Sequence, residues 1–289
     1  MQTRILFATD GRAPAKHAGE LLRRLADPGR VTLTILHADE YGNREVADRY
    51  AQMVLEEAQQ EMHDAGITAV TARADGDAAV AVEKELTHED YGLIVVGAGN
   101  HTWYGSLVFG SVSTHLLYMA SAPVLVVHRI QETGSDHVRV LAGVDGSPSV
   151  EHAMDTLMAV SDPSRVDVEV RSVVEIPMVA FSGHPGGYAP PSYMDELISE
   201  GRNAAEAHVD QALQRFREAG YRAEGSVGEG AATTDLLDRA RAIGADLVVL
   251  GARGLGAIAR LTVGSVSAHV ARHASATLVA HALGRSTRQ

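Results

Sequence analysis

Short apolar runs alternate with longer amphipathic segments along the whole chain. Each of four runs in the first half has a counterpart in the second half, and the pairs are 5–11 with 140–146, 31–39 with 168–175, 92–98 with 245–252 and 121–128 with 275–281. The runs are rich in Val, Ile and Leu and are bounded by Gly, Asp or Pro. Such near-continuous apolar runs are typical of strands that are buried on both faces of a parallel sheet.

The segments between the runs follow a helical period. Residues 46–65 and 194–219 carry apolar side chains about 3.6 positions apart, and the two segments end before Gly66 and Gly220. Strands that alternate with helices form βαβ units, in which a parallel sheet is covered by helices on both sides. The pattern therefore predicts an α/β fold.

Weaker apolar runs at 67–74 and 221–227 supply a third strand in each half, so that each half has five predicted strands. A chain of 289 residues is long enough for two domains of ordinary size. The stretch 131–137 is polar and is interpreted as the linker between them. We predict two homologous α/β domains at 1–130 and 138–285, each an open five-stranded parallel sheet flanked by helices.

The two halves differ most after the second strand. Residues 177–193 are rich in Gly and Pro, which marks a loop longer than is usual for such connections. Because this loop follows a strand whose carboxyl end faces the expected ligand site, two interpretations stay open. It is either a lid that folds over a ligand or a surface excursion.

Composition and charge exclude several functional classes. The net charge of −12 opposes nonspecific binding of nucleic acid, which depends on neutralising phosphates with Lys and Arg. The absence of cysteine excludes disulfides, thiolate metal sites and a cysteine nucleophile. No apolar run approaches the roughly 18 residues of a membrane helix, and the N-terminal residues lack a signal-peptide pattern. We expect a cytoplasmic protein without nucleic-acid or membrane partners.

Two fifteen-residue stretches, 97–111 and 251–265, follow the predicted fourth strands, open on Gly-Ala and close on Gly-Ser. In the second stretch, three glycines allow the backbone to approach a ligand closely and to reach conformations that other residues avoid. The helix that begins at Ser265 offers free N–H groups to an anion, and Arg253 adds positive charge. The alternative is that the glycines only permit a tight connection and that Asp145 is a turn residue before the next helix.

The spacing Gly251-x2-Gly254-x9-Gly264-Ser265, with Asp145 at the end of the first strand, resembles the ATP-binding pattern of universal stress proteins. The resemblance covers nearly the whole chain as two tandem copies of that domain. It implies the strand order 3-2-1-4-5 in each sheet. It also implies that the two domains pair through their last strands within one chain, as a pseudo-dimer.

The resemblance also implies the site residues of the second domain. Asp145 would lie near the ribose and adenosine, and the backbone of Val173 would bind adenine. The residues implied to hold ribose and phosphates are Gly251, Gly254, Gly264, Ser265 and Val266. Gly146 and Ser147, which follow Asp145, and Arg253 in the loop complete the predicted site.

The first domain matches the pattern less well. The matching residues are Asp10, Ala38, Gly97, Gly110, Ser111 and Val112. Asn100 stands where the pattern has its second glycine, although Asn adopts left-handed conformations more readily than most residues. His101, Trp103 and Tyr104 follow it, and their rings are interpreted as stacking on a base, covering the site or packing against the other domain. We therefore predict an altered nucleotide loop in this domain.

Other catalytic and metal motifs are missing from the sequence. His269 and His273 are four residues apart on a predicted helix, so they could share a metal ion. Because the pair is not repeated in the first domain, we predict that these two histidines do not form a metal site. The sequence has neither a Walker A loop nor a Gly-x-Ser-x-Gly elbow. We assign no catalytic residue and expect ATP hydrolysis to be weak at most.

These observations predict a regulatory protein of the stress response that binds ATP, ADP or AMP, at least in the second domain. Magnesium would accompany the phosphates, with Asp145 as a distant candidate for helping to place it. Two alternatives stay open: a nucleotide-free interaction or scaffold protein that binds protein partners, and a slow ATP-consuming enzyme. The sequence also leaves open whether two chains pair further into a homodimer.

Overall fold

The computed structural model of the protein describes residues 2–39, 44–99, 101–103, 106–108, 110–131, 136–175, 191–254 and 263–282. Asn100, Tyr104 and most of the predicted loop 177–193 lie outside the described residues, so the predictions about them remain predictions. The last three residues of that loop belong to a helix that begins at Pro191.

Each domain runs through strands and helices in alternation. The first contains β1 (Thr3–Ala8), α1 (Ala13–Leu25), β2 (Val31–Asp39), α2 (Arg44–Asp64), β3 (Thr68–Asp75), α3 (Ala78–His88), β4 (Leu93–Gly97), β5 (His101–Trp103), β6 (Ser106–Val108), α4 (Ser111–Met119) and β7 (Val124–Val127). The second contains β8 (Val138–Gly143), α5 (Pro148–Val160), β9 (Val166–Val174), α6 (Pro191–Glu218), β10 (Arg222–Glu229), α7 (Ala232–Ile243), β11 (Leu247–Gly251), α8 (Ser265–His273) and β12 (Ala276–Ala280).

The strand order confirms the predicted topology. In the first domain the order is β3-β2-β1-β4-β7, in the second it is β10-β9-β8-β11-β12, and all pairs within a domain are parallel. An antiparallel pairing of β7 with β12 joins the two sheets into one sheet of ten strands. This confirms the pairing of the two domains through their last strands. The short antiparallel hairpin of β5 with β6 was not predicted.

The central strands of the sheet are buried because they present apolar side chains to both faces. Ile5 and Phe7 of β1 belong to a core that they share with α1 and α2. Leu6, on the opposite face of the same strand, packs in a second core with α3 and α4. The first of these cores continues without interruption into the second domain, where it includes Val140. The continuous apolar runs of the sequence therefore correspond to strands covered on both sides.

The C-terminal ends of α1 and α5 meet where the two domains pair. Ala26 and Ser161 form an isolated antiparallel bridge. Beside it, the backbone N–H of Asp27 donates to the Val160 oxygen at 2.9 Å, and the N–H of Asp162 donates to the Leu25 oxygen at 3.0 Å. Equivalent residues of the two domains thus exchange hydrogen bonds, which gives the chain an internal pseudo-twofold arrangement.

A buried ion pair also crosses between the domains. Arg24 of α1 is 3% exposed and Asp246, which precedes β11, is 5% exposed, and Nη1 lies 3.3 Å from Oδ1. Arg24 Nη2 also donates to the His137 oxygen at 2.7 Å. The other carboxylate oxygen of Asp246 accepts from the Arg139 backbone N–H at 2.9 Å. The pair therefore ties the first helix of one domain to the sheet of the other.

A histidine after the last strand of each domain makes a further contact between the domains. His128 Nε2 lies 2.8 Å from the Ala271 oxygen in α8, and His281 Nε2 lies 3.1 Å from the Leu117 oxygen in α4. Burial lowers the pKa of His128, and the charge of Arg129 acts in the same direction, whereas the hydrogen bond to Ala271 opposes both.

Because the pKa of His128 is lowered from 6.5 in the folded protein, the unfolded chain binds a proton more readily. The stabilisation by the neutral ring is complete above that ordinary value and decreases as pH falls toward the lowered pKa. We expect the free energy of unfolding, measured with urea between about pH 5 and pH 8, to decrease on acidification. His128→Gln keeps a donor for the Ala271 oxygen and should flatten this slope. A slope identical to that of the wild type would contradict the assignment.

Candidate functional site

Ligands of open parallel sheets bind outside the carboxyl ends of the strands, where the strand order reverses. In the first domain this point lies between β1, which leads into α1, and β4, which leads through the hairpin into α4. In the second domain it lies between β8 and β11. Because β7 and β12 run antiparallel, the strands of the two domains have their carboxyl ends at opposite edges of the ten-stranded sheet. The two candidate sites are therefore separate.

A cavity of about 610 Å³ occupies this position in the first domain. Its volume is in the range of pockets that bind small molecules and cofactors. The predicted site residues that line it are Asp10, Ala38, Gly97, Gly110, Ser111 and Val112. The structure thus brings together every predicted residue of this domain that it describes.

One end of the cavity is formed by the beginnings of two helices. Arg12 is the N-cap of α1 and Gly110 is the N-cap of α4, and within the described part of the chain no side chain caps either helix. Ser111, the first residue of α4, is exposed. The first N–H groups of a helix lack partners inside it and carry partial positive charge. This end of the cavity therefore suits an anion.

The other end of the cavity lies at the carboxyl end of β2. His37 is buried, with Nδ1 2.8 Å from the Thr9 oxygen and Nε2 3.3 Å from Asp39 Oδ1. The second carboxylate oxygen of Asp39 accepts from Arg73 Nε at 2.5 Å. Tyr50 of α2 approaches the His37 ring edge-on, with 6.0 Å between ring centres, and its hydroxyl donates to the backbone oxygen of Asp10 at 3.0 Å.

Several residues that line the cavity were not predicted from the sequence, among them Arg12, His37, Asp39 and Tyr50. A signal for two of them was present in the sequence, because His37 and Asp39 are polar residues at the end of an otherwise apolar strand. Nothing in the local sequence indicates that Tyr50, on the following helix, faces the same cavity.

The glycines that end the fourth strands are required for close packing. A Cβ atom on Gly97 would lie 2.5 Å from the Ala15 nitrogen, and one on Gly251 would lie 2.6 Å from the Val150 nitrogen. Neither glycine has a positive φ. The glycines therefore let the end of the strand approach the first turn of α1 or α5, and the unusual backbone conformation expected at Gly251 is not found.

The predicted residues of the second domain also gather at one edge of the sheet. Asp145 Oδ1 accepts from the Ser147 backbone N–H at 3.0 Å, and Ser147 caps α5. Gly146 between them has a φ of 73°. A Cβ atom on Gly254 would lie 2.7 Å from Asp145 Oδ2, so the loop after β11 passes directly against this carboxylate.

The two ends of that loop are held by hydrogen bonds. Ser149 Oγ donates to the Arg253 oxygen at 2.5 Å, and Ser267 Oγ donates to the Gly251 oxygen at 2.6 Å. Gly264 is the N-cap of α8, whose first residue, Ser265, is exposed. Val173 and Val266 both pack against one apolar cluster of this domain. Residues 255–262 of the loop lie outside the described residues.

The two histidines on α8 stack against each other. The rings of His269 and His273 stack with 4.3 Å between their centres, and His273 Nδ1 lies 2.7 Å from the His269 oxygen. In the described ranges, no group of three or more His, Asp or Glu side chains could hold a metal ion. A membrane-spanning helix, too, is not found in the part of the chain that the structure describes.

Comparisons with known proteins agree with this architecture. The sequence profile of the universal stress protein family matches residues 1–128 and again residues 138–280. A universal stress protein of Mycolicibacterium smegmatis is 28% identical over 256 residues, which are 86% of this chain and 79% of that protein. One of Mycobacterium tuberculosis is 33% identical over 199 residues, which are 66% of this chain and 61% of that protein.

A solved structure shows the same fold at lower sequence identity. The crystal structure of a universal stress protein from Archaeoglobus fulgidus superimposes with a TM-score of 0.62 at 19% identity. The superposition covers 97% of this chain and 98% of that chain. The likeness therefore extends to both domains and to the way in which they follow one another.

Proposed function

Because the chain belongs to the universal stress protein family, whose profile covers both of its domains, we propose that it is a regulatory protein of the stress response that binds nucleotides. ATP or AMP occupies the second domain, and a nucleotide also enters the first. The observation that carries this proposal is the cavity of about 610 Å³ at the carboxyl edge of the first sheet, between the beginnings of two helices.

The chemistry of the first-domain cavity fits a nucleotide in one orientation. Phosphates belong at the beginnings of α1 and α4, where uncapped N–H groups and the Arg12 side chain favour negative charge. The base belongs at the end of β2, where Ala38, Val46 and Val82 form an apolar wall. Ribose then spans the middle, beside Asp10.

The second domain repeats the framework of this site. Asp145 occupies the position of Asp10, and α8 begins at Gly264 and Ser265 as α4 begins at Gly110 and Ser111. We propose that the phosphates lie at the beginning of α8, near Arg253. A magnesium ion that arrives with ATP is carried by the phosphates, and Asp145, which lies against Gly254, is the carboxylate that helps to place it.

We propose that the main activity is nucleotide binding and that catalysis is weak at most. The described residues of both candidate sites offer backbone N–H groups, hydroxyls and carboxylates, which recognise a nucleotide, and no three of the described His, Asp or Glu side chains form a group that could hold a metal ion. We propose that binding of the nucleotide is itself the signal.

Isothermal titration with ATP tests this function. We expect the wild type to bind ATP and Gly254→Val to lose the second-domain site, since the valine side chain would collide with Asp145. Gly264→Val should act similarly, because even its Cβ atom would lie 3.2 Å from the Ala252 oxygen. Mass spectrometry of ligand released from freshly purified, denatured protein identifies the nucleotide. Protein that carries no nucleotide and binds none would favour the scaffold alternative.

A further inference from the structure

The two domains differ at the end of the site where a base would lie. Asp39, the last residue of β2, lines the first-domain cavity directly after Ala38. The equivalent strand of the second domain, β9, also has nine residues, and it ends with Val174. One domain therefore presents a carboxylate where the other presents an apolar side chain. We propose that the first-domain cavity selects a guanine nucleotide; this rests on the proposed function.

The Asp39 carboxylate is fixed in place before any ligand arrives. Its side chain is 12% exposed, with one oxygen 3.3 Å from His37 Nε2 and the other 2.5 Å from Arg73 Nε. Arg73 also pairs with Asp48 of α2. A carboxylate held by an arginine that is itself held by a second carboxylate needs little reordering on binding, which favours its use in recognition.

The carboxylate retains capacity for a ligand. Two carboxylate oxygens offer about four acceptor positions, and the hydrogen bond from Arg73 Nε uses one of them. Part of the cavity wall beside it is apolar, since Ala38, Val46 and Val82 line it together with the polar His37 and Tyr50. A base that enters between these side chains therefore meets Asp39 as a charged acceptor.

Guanine and adenine differ in the edge that they offer to such an acceptor. Guanine carries two adjacent N–H donors, on N1 and on the N2 amino group, and an ionised carboxylate can accept both. Adenine carries one donor, on N6, beside the lone pair of N1, which a carboxylate repels. A bidentate contact of this kind discriminates between bases by on the order of tenfold or more. An ionised Asp39 has no donor to offer to adenine N1.

If Asp39 had a purely structural role, its replacement would have a different effect on nucleotide affinity. If the carboxylate only joined β2 to β3 through Arg73, its replacement would weaken the binding of every nucleotide equally. The discriminating quantity is therefore the ratio of affinities for different bases. Inosine triphosphate is a useful third probe, because it keeps the N1 donor of guanine and lacks the N2 amino group.

The experiment measures affinities for GTP, ITP and ATP by titration of the full chain with Ser265→Asp, a change that places negative charge where second-domain phosphates would lie. We expect GTP to bind on the order of tenfold more tightly than ATP, with ITP between them. Asp39→Val copies Val174 and should abolish this preference, and Asp39→Asn, which preserves the side-chain shape, should reduce it.

Three results would overturn the inference. Equal affinity for GTP and ATP in the Ser265→Asp chain is one, and an equal loss for all three nucleotides in Asp39→Val and Asp39→Asn is another. Both leave the proposed nucleotide binding intact. Failure of the wild type to bind any of the three nucleotides would overturn the proposed function together with the inference.

Discussion

Replacing Arg24 with alanine should lower the free energy of unfolding by about 3–5 kcal/mol, the range found when one partner of a buried ion pair is removed. Arg24 and Asp246 are 3% and 5% exposed, so neither charge is well hydrated in the folded protein. Without the guanidinium, the Asp246 carboxylate stays buried with the Arg139 backbone N–H as a remaining donor. Urea unfolding at neutral pH measures the loss.

Two matched variants separate the buried pair from ordinary surface charge. Arg49→Ala removes an exposed pair with Glu45 on α2, and we expect a change of about 0.5 kcal/mol or less. Arg24→Met with Asp246→Asn removes both charges and should recover part of the stability lost in Arg24→Ala, because no isolated charge then remains buried. A loss below about 1 kcal/mol in Arg24→Ala would show that water reaches Asp246.

The effect of Arg24 matters because the pair joins the two domains. The antiparallel junction of β7 with β12 and the bridge between Ala26 and Ser161 hold the same two halves together. A chain with a weakened ion pair should therefore lose cooperativity between its domains as well as stability. The two parallel sheets would then unfold at different urea concentrations.

Much of the fold could be predicted because its signals are local. Strands such as β4 and β7 are buried along nearly their whole length, so their apolar runs are visible in the sequence without any alignment. The order of the strands and the pairing of the domains came from the resemblance to a family. The hairpin of β5 with β6 escaped prediction because three-residue strands leave no periodic pattern.

The hydrophobic pattern of the sequence also could not predict buried charged residues inside an apolar run. Glu169 of β9 is 4% exposed, and its two carboxylate oxygens accept from Arg239 of α7 at 2.7 and 2.8 Å. On the same strand, Arg171 makes a two-point contact with Asp235. These partners lie more than sixty residues apart in the chain, so only the folded structure reveals that the charges compensate one another.

The candidate site also contains both residues that the sequence could predict and residues whose position depends on tertiary packing. Residues at strand ends, such as Asp10 and Gly97, could be predicted because the topology alone carries them to the ligand edge. His37 and Asp39 left a signal as polar residues at the end of β2, whereas Tyr50 could not be predicted, because its place depends on how α2 packs across the end of that strand. The reason for Gly251 changed as well, from close approach to a ligand and conformational freedom to the close approach of a helix.

Aspartate at Ser111 or at Ser265 should weaken nucleotide binding about 100-fold in the domain that carries the change. Both serines are the exposed first residues of helices, α4 and α8, so the substitutions disturb no core. A negative charge about 5 Å from a phosphate, at an effective dielectric constant of about 20, costs about 3 kcal/mol of binding energy. The same charge interacts favourably with the helix dipole and should leave stability equal or raise it by about 0.3–1 kcal/mol.

Ser111→Ala and Ser265→Ala are the matched controls, and they should lose no more affinity than the small contribution of a hydroxyl. Titration of the single and double variants with ATP and GTP counts the sites: each aspartate should remove one, and the double variant should bind neither nucleotide. Unchanged affinity in the double variant would place the nucleotide away from both helices and would refute the proposed sites in both domains.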